Sequence, residues 1–201
     1  MAYSFRSTMR QEWLLPGLLI AIATVSSWEF ACIAPFVAFA VAAGYGLPMQ
    51  RALLTVSGVW IANQAVGFAV LGYPWTVNTI LWGTAIGVAA LLAAYLAGNM
   101  LRQGIRNAFI AVGGAFVMAF GIYEGSLFVV TFALGGRDAF TAAIVGHVAL
   151  LNLGWTVALV GSYQLAWYSG ALSGRAAGTY ASFSAWKGRR ADREAGGDVP
   201  A

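Results

Sequence analysis

Charge is what this chain has least of. Only 9% of its residues are charged while 60% are hydrophobic, and mean hydropathy is +0.75. A soluble domain carries about 25% charged residues, so this chain cannot cover its surface with polar groups. It also lacks the ~10-residue alternating pattern of a membrane β-barrel. Apolar runs of ~20 residues are there instead, long enough to cross a bilayer as helices. Cysteine and histidine each occur once, as Cys32 and His147. One cysteine excludes an internal disulfide, and the pair cannot supply the four N or S ligands of a structural zinc site. One histidine excludes bis-histidine haem ligation within the chain. The only lysine, Lys187, lies in the C-terminal tail, which excludes a retinal Schiff base in a span. No GxSxG, HExxH or P-loop is present. These absences imply an all-α integral membrane protein with no metal and no cofactor of its own.

The net charge of +4 does not point to nucleic acid. The cations are confined to short connectors and the tail, as the positive-inside rule describes. Breaks at Ser26-Ser27, Gly44 to Arg51, Tyr73-Pro74-Trp75, Gly98 to Asn107 and Gly135-Gly136-Arg137-Asp138 divide the apolar sequence. They predict six transmembrane helices at about 12–26, 28–47, 52–72, 76–98, 107–134 and 139–166. Residues 1–11 then form a cytoplasmic N-terminal segment and 167–201 a flexible basic cytoplasmic tail. No cleavage region follows Val25, so the first span is expected to stay uncleaved. With six spans, Arg6, Arg10, Arg51, Arg102, Arg106 and every tail cation fall on one side, and only Arg137 falls opposite. Five spans would split those arginines. The Lys/Arg bias in short loops sets orientation, so both termini are expected to be cytoplasmic, in the cell's inner (plasma) membrane. Ser26-Ser27 is then an outer turn, with Trp28 at the interface and Glu29 opening the second span.

Small residues recur at packing intervals. Gly83-Thr-Ala-Ile-Gly87, the pair Gly114 and Gly121, and the series His147, Gly154 and Gly161 each lie on one helix face. Such seams let backbones approach where lipid gives no hydrophobic drive between helices. They predict a tight bundle and say nothing of function.

Ionisable residues inside a membrane are costly and are site candidates by default. Under the six-span topology Glu29, Asn78, Glu124 and His147 all fall in the outer half, as do the aromatics Trp28, Trp82 and Tyr123. Asn63, Gln64 and Asn152 fall near the middle, and Trp60, Asn63, Gln64 and Gly67 share one sector of the third helix. The plainer reading treats Trp28 as an interfacial anchor, Asn63 and Asn152 as hydrogen-bond partners between helices, and His147 as a packed histidine. The sharper reading is an outward-facing pocket of carboxylates, amides, histidine and rings. Carboxylates and a histidine suit a cationic or hydrogen-bonding solute, and aromatic rings a flat one.

Three functions are consistent with these residues. The first is a protein that binds a small-molecule solute and helps import it, working with the lipid bilayer, other membrane subunits or an ATPase module, and with no catalytic residues. The second is a non-catalytic assembly or scaffolding subunit of a membrane complex. The third is a membrane enzyme using Glu124 and His147 as acid and base. Six spans, cytoplasmic ends and an outer-half pocket over 12–166 resemble the substrate-binding S components of energy-coupling factor vitamin transporters. That resemblance implies that ATP hydrolysis belongs to partners, and that Ala38-xxx-Ala42 is a docking pattern for the membrane partner.

Overall fold

The computed structural model describes residues 14–30, 34–105 and 107–168; for 27–30 and 167 it describes the backbone alone. The expected segment 1–11 and nearly all of the expected tail lie outside the described residues. Six α-helices are described, with no strand among them: α1 (Leu14–Phe30), α2 (Phe36–Gly46), α3 (Met49–Ala69), α4 (Val77–Leu101), α5 (Ala108–Leu134) and α6 (Ala142–Tyr168). A 3-10 turn, Arg137–Phe140, joins the last two. Helices α3 to α6 are long and apolar enough to cross a membrane, whereas α1 and α2 are shorter apolar helices. The chain divides into two compact units, Met1–Val160 and Gly161–Ala201. The second is described only through the last turns of α6, where Leu165 and Tyr168 are exposed.

The helix ends follow local chemistry. Thr76 caps α4 by accepting Thr79 N–H at 3.2 Å. Asn107 caps α5 by accepting from Phe109 and Ile110 at 2.9 and 3.2 Å. Both supply a side-chain oxygen to amides that have no partner within the helix. Gly135 and Gly136, at φ 81° and 89°, stop α5 in a backbone region that favours glycine. Between α2 and α3, Leu47 is extended (φ −128°, ψ 152°) because Pro48 follows it.

The first two helices depart from the sequence expectation. The turn expected at Ser26-Ser27 is helix, and α1 continues to Phe30. The hydroxyls need no turn, because Thr24 donates to Ile20 O at 2.8 Å and Ser26 to Ala23 O at 2.9 Å within the helix. Glu29 therefore lies within α1 and does not open the next helix. The next helix begins only after Pro35, which is the N-cap of α2 although the expected second span, 28–47, would have placed it inside the helix. Proline offers no N–H and disfavours helix at the residue before it. The second helix is thus Phe36–Gly46, against an expected 28–47.

This short helix is the centre of the bundle. Every residue from 36 to 44 is buried, as a helix apolar on all sides should be. Helices α3, α4 and α5 pack around it, and α1 packs mainly on α3. The face of α4 toward it is alanine: Ala90, Ala93, Ala94 and Ala97 are all at 0% exposure. Small side chains let the backbones approach, most closely at Gly44 and Gly98. A Cβ on Gly44 would stand 3.1 Å from Gly98 Cα. Arg102 then reaches across from α4 and donates to Leu47 O at 2.9 Å, satisfying a carbonyl just past the end of α2.

The bundle has two chemically distinct ends. The basic end holds the start of α3 with Arg51, the finish of α4 with Arg102, and the start of α5. The aromatic end holds the α3–α4 loop and the α5–α6 turn, with Tyr73, Trp75, Phe128, Phe132 and Phe140.

Candidate functional site

At eleven residues, α2 is ~16 Å long, about half the ~30 Å hydrocarbon core. Its C-terminus lies at the basic end, so its N-terminus opens inside the bundle. Ala34 and Pro35, the irregular residues before it, are themselves buried. The first amides of a helix have no acceptor within it, and here part of that need is met from a distant helix. Ala38 N–H donates to Asn152 Oδ1 of α6 at 3.2 Å. Asn152, 1% exposed, is held in place because its Nδ2 donates to Val148 O at 3.0 Å. Thr156 Oγ1 in turn donates to Asn152 O at 2.7 Å. Around the same turn, Tyr123 of α5 packs on Phe36 with ring centroids 6.2 Å apart, and Trp155 packs on Phe39 at 6.4 Å. Two expected site residues, Asn152 and Tyr123, thus converge on the first turn of α2. Trp155 and Phe36 carried no sequence signal beyond being aromatic in an apolar run.

The polar sector of α3 has another role. Trp60 Nε1 donates to Gly83 O of α4 at 2.8 Å, and its indole covers Gly87. Gln64 reaches the gap left at Gly83, and its Nε2 donates to Asn63 Oδ1 at 3.3 Å. Gly67 accommodates the Tyr73 ring. The Gly83/Gly87 spacing therefore serves two large side chains of α3, and Asn63 and Gln64 belong to that seam.

The remaining candidates are scattered. Asn78 is exposed in the first turn of α4 and His147 is exposed on α6. Trp82 is partly buried and faces Gly136 of the α5–α6 turn. Glu124 is partly buried on α5. Among the described residues no hydrogen bond or ion pair joins Glu124 to His147. The side chains of Trp28 and Glu29 lie outside the described residues. Described residues include no group of three or more His, Cys, Asp or Glu able to hold a metal ion. Ala38 and Ala42, the pair that the transporter resemblance assigns to docking, are buried at 0% and 9% exposure.

An open groove of about 450 Å³ lies between α3 and α4 toward the basic end, lined by Leu53, Leu54, Val88, Leu91 and Leu92 with Gln50, Ser57 and Tyr95 at its edges. It is far too apolar to orient a polar solute, which needs several placed polar groups.

Fold and site define, over the described residues, a helical protein with four helices suited to crossing a membrane. No protein-family model, curated protein or solved structure matches the chain.

Proposed function

We propose that this chain is a six-span membrane protein of the inner (plasma) membrane, with both ends cytoplasmic, that binds a small solute from the aromatic end and helps to import it. One observation carries the reading: a buried half-helix, α2, begins at mid-bundle behind irregular backbone. Non-helical backbone at membrane depth is tolerated where it is buried in protein or lines a cavity, and half-helix N-termini recur at transporter sites. The arginine distribution supports placing the basic end in the cytoplasm. With no P-loop in the sequence, energy would come from partner subunits such as an ATPase module. That division of labour is the one found in the S components the architecture resembles. Mass spectrometry of small molecules retained by the detergent-purified full chain tests this. The expected result is one reproducible solute, weakened or lost in Glu124→Gln and in Tyr123→Ala, whose ring packs on the first turn of α2. Absence of any solute from repeated preparations, with both variants behaving as wild type, sinks the proposal.

A second reading, an assembly subunit, draws on a separate observation. Asn63, Gln64 and Asn152 are engaged within the chain, while Gly113, Gly121, Gly125 and Gly154 of α5 and α6 are exposed with nothing within 4 Å of an added Cβ. Isolation of one stoichiometric membrane partner, with no retained solute, favours that reading.

A further inference from the structure

Among the described residues, Glu124 is the only carboxylate more than ~7 residues, or about two turns, from a helix end. It sits ten residues before Leu134, the last residue of α5, hence ~15 Å below the aromatic end of that helix. A carboxylate there needs a counter-charge or a proton, and no described residue gives it a hydrogen bond or ion pair. The described cations are committed elsewhere. Arg51 and Arg102 stand at the basic end, where Arg102 donates to Leu47 O. Arg137 lies 4.1 Å over the Phe132 ring and is followed by Asp138.

The surroundings of Glu124 fit one kind of visitor. A long side chain on a helix leans back over the preceding turn, which for Glu124 is Gly121. A Cβ on Gly121 or Gly125 would meet nothing within 4 Å and both glycines are exposed, so the carboxylate borders an open surface of α5. One turn to either side stand Phe120 and Phe128, on the same strip of α5. Phe120 is fixed by stacking on Phe116 at 5.9 Å, and Phe128 by edge contacts with Phe132 and Phe140 at 5.5 and 5.7 Å. A carboxylate with a ring one turn to either side, on an open surface, suits an ammonium or guanidinium group by charge and by cation–π attraction. It offers an anion nothing.

We infer that the solute carries an organic cationic group and that Glu124 is its counter-charge, with the cation seated over Gly121 between Phe120 and Phe128. This rests on the binding reading above and narrows its substrate class.

The test uses N,N′-dicyclohexylcarbodiimide, which modifies carboxyls in apolar surroundings, on the full chain in detergent, with intact mass as readout. Wild type is expected to take one adduct at Glu124. Millimolar methylguanidinium or tetramethylammonium should slow the reaction ~10-fold, the effect of about 1.4 kcal/mol of competing interaction, while equal sodium leaves the rate unchanged. Glu124→Gln should lose the adduct, and Glu124→Asp should keep both adduct and protection. Equal rates with every cation, or equal protection by sodium, overturn the inference. The two proposals fail separately. A retained solute that is neutral or anionic, with Glu124 unprotected, removes this inference and leaves binding intact. Protection by organic cations with no retained solute keeps the cation site and removes the import reading.

Discussion

Asn152 shows how a single side chain can complete the start of a distant helix. A buried amide with no acceptor costs about 1–3 kcal/mol, and Asn152 Oδ1 is the acceptor for Ala38. Asn152→Ala should therefore lower stability by about that amount, read as a fall in melting temperature of the detergent-solubilised protein. Thr156→Val is the matched control. It removes a hydroxyl that only bonds back to Asn152 O on its own helix, so it should cost no more than the net contribution of one ordinary hydrogen bond, about 0.5–1.5 kcal/mol. A control that fell further than Asn152→Ala would show that the contact with Ala38 contributes little. The importance of Asn152 as a polar residue in a span was legible from the sequence. Its partner was not, because Ala38 is 114 residues away and nothing in an alanine announces an unsatisfied amide. The spacing of Trp60, Asn63, Gln64 and Gly67 put them on one strip of α3, and that strip meets α4 through Trp60 and Gln64 and the α3–α4 loop through Gly67.

At the scale of elements, α2 is held by shape more than by polar bonds. Its contact with α4 depends on two glycines, since a Cβ on Gly44 would stand 3.1 and 3.2 Å from Gly98 Cα and N, backbone atoms that cannot turn aside. Gly44→Val must separate the helices, at a cost of about 1–3 kcal/mol for overpacking. Gly113→Ala, where nothing lies within 4 Å, should be neutral or stabilise by up to about 1 kcal/mol through helix propensity. Thermal unfolding followed by far-UV circular dichroism separates the two, and equal effects would mean that the α2–α4 approach is not tight. The four long helices could be read from apolar runs divided by Gly, Pro and Arg. The first two could not be read in the same way. Ser26-Ser27 resembles a turn by composition, but a helix can satisfy serine and threonine hydroxyls on its own carbonyls, so hydroxyls are a weak stop signal. Pro35 is a strong one, for it removes a donor and constrains its neighbour. Weighting proline above serine would have placed the start of the second helix at Phe36.

For the molecule as a whole, the open question in the sequence was how often residues 13–47 cross the membrane. The described part of α1, 17 residues, covers ~25 Å, and α2, with 11, ~16 Å of a ~30 Å core. Length leaves both a hairpin and a single bent crossing open, and the arginines bear on the choice. A hairpin puts Arg6 and Arg10 on the side of Arg51 and Arg102, and a bent crossing puts them opposite. The bias of short loops toward cytoplasmic Lys/Arg favours the hairpin. Cysteine accessibility reads the answer directly, because Cys32 is the chain's one cysteine and Cys32→Ala supplies a clean background. In intact cells a membrane-impermeant maleimide should label Thr76→Cys and Asp138→Cys, both at the aromatic end. It should label Gln50→Cys, Gln103→Cys and Met9→Cys only after permeabilisation. Labelling of Met9→Cys together with Thr76→Cys would establish a single crossing before α3 and five spans in all. Reversal of the whole pattern would put the basic end outside and turn the proposed solute entrance toward the cytoplasm, which import does not allow.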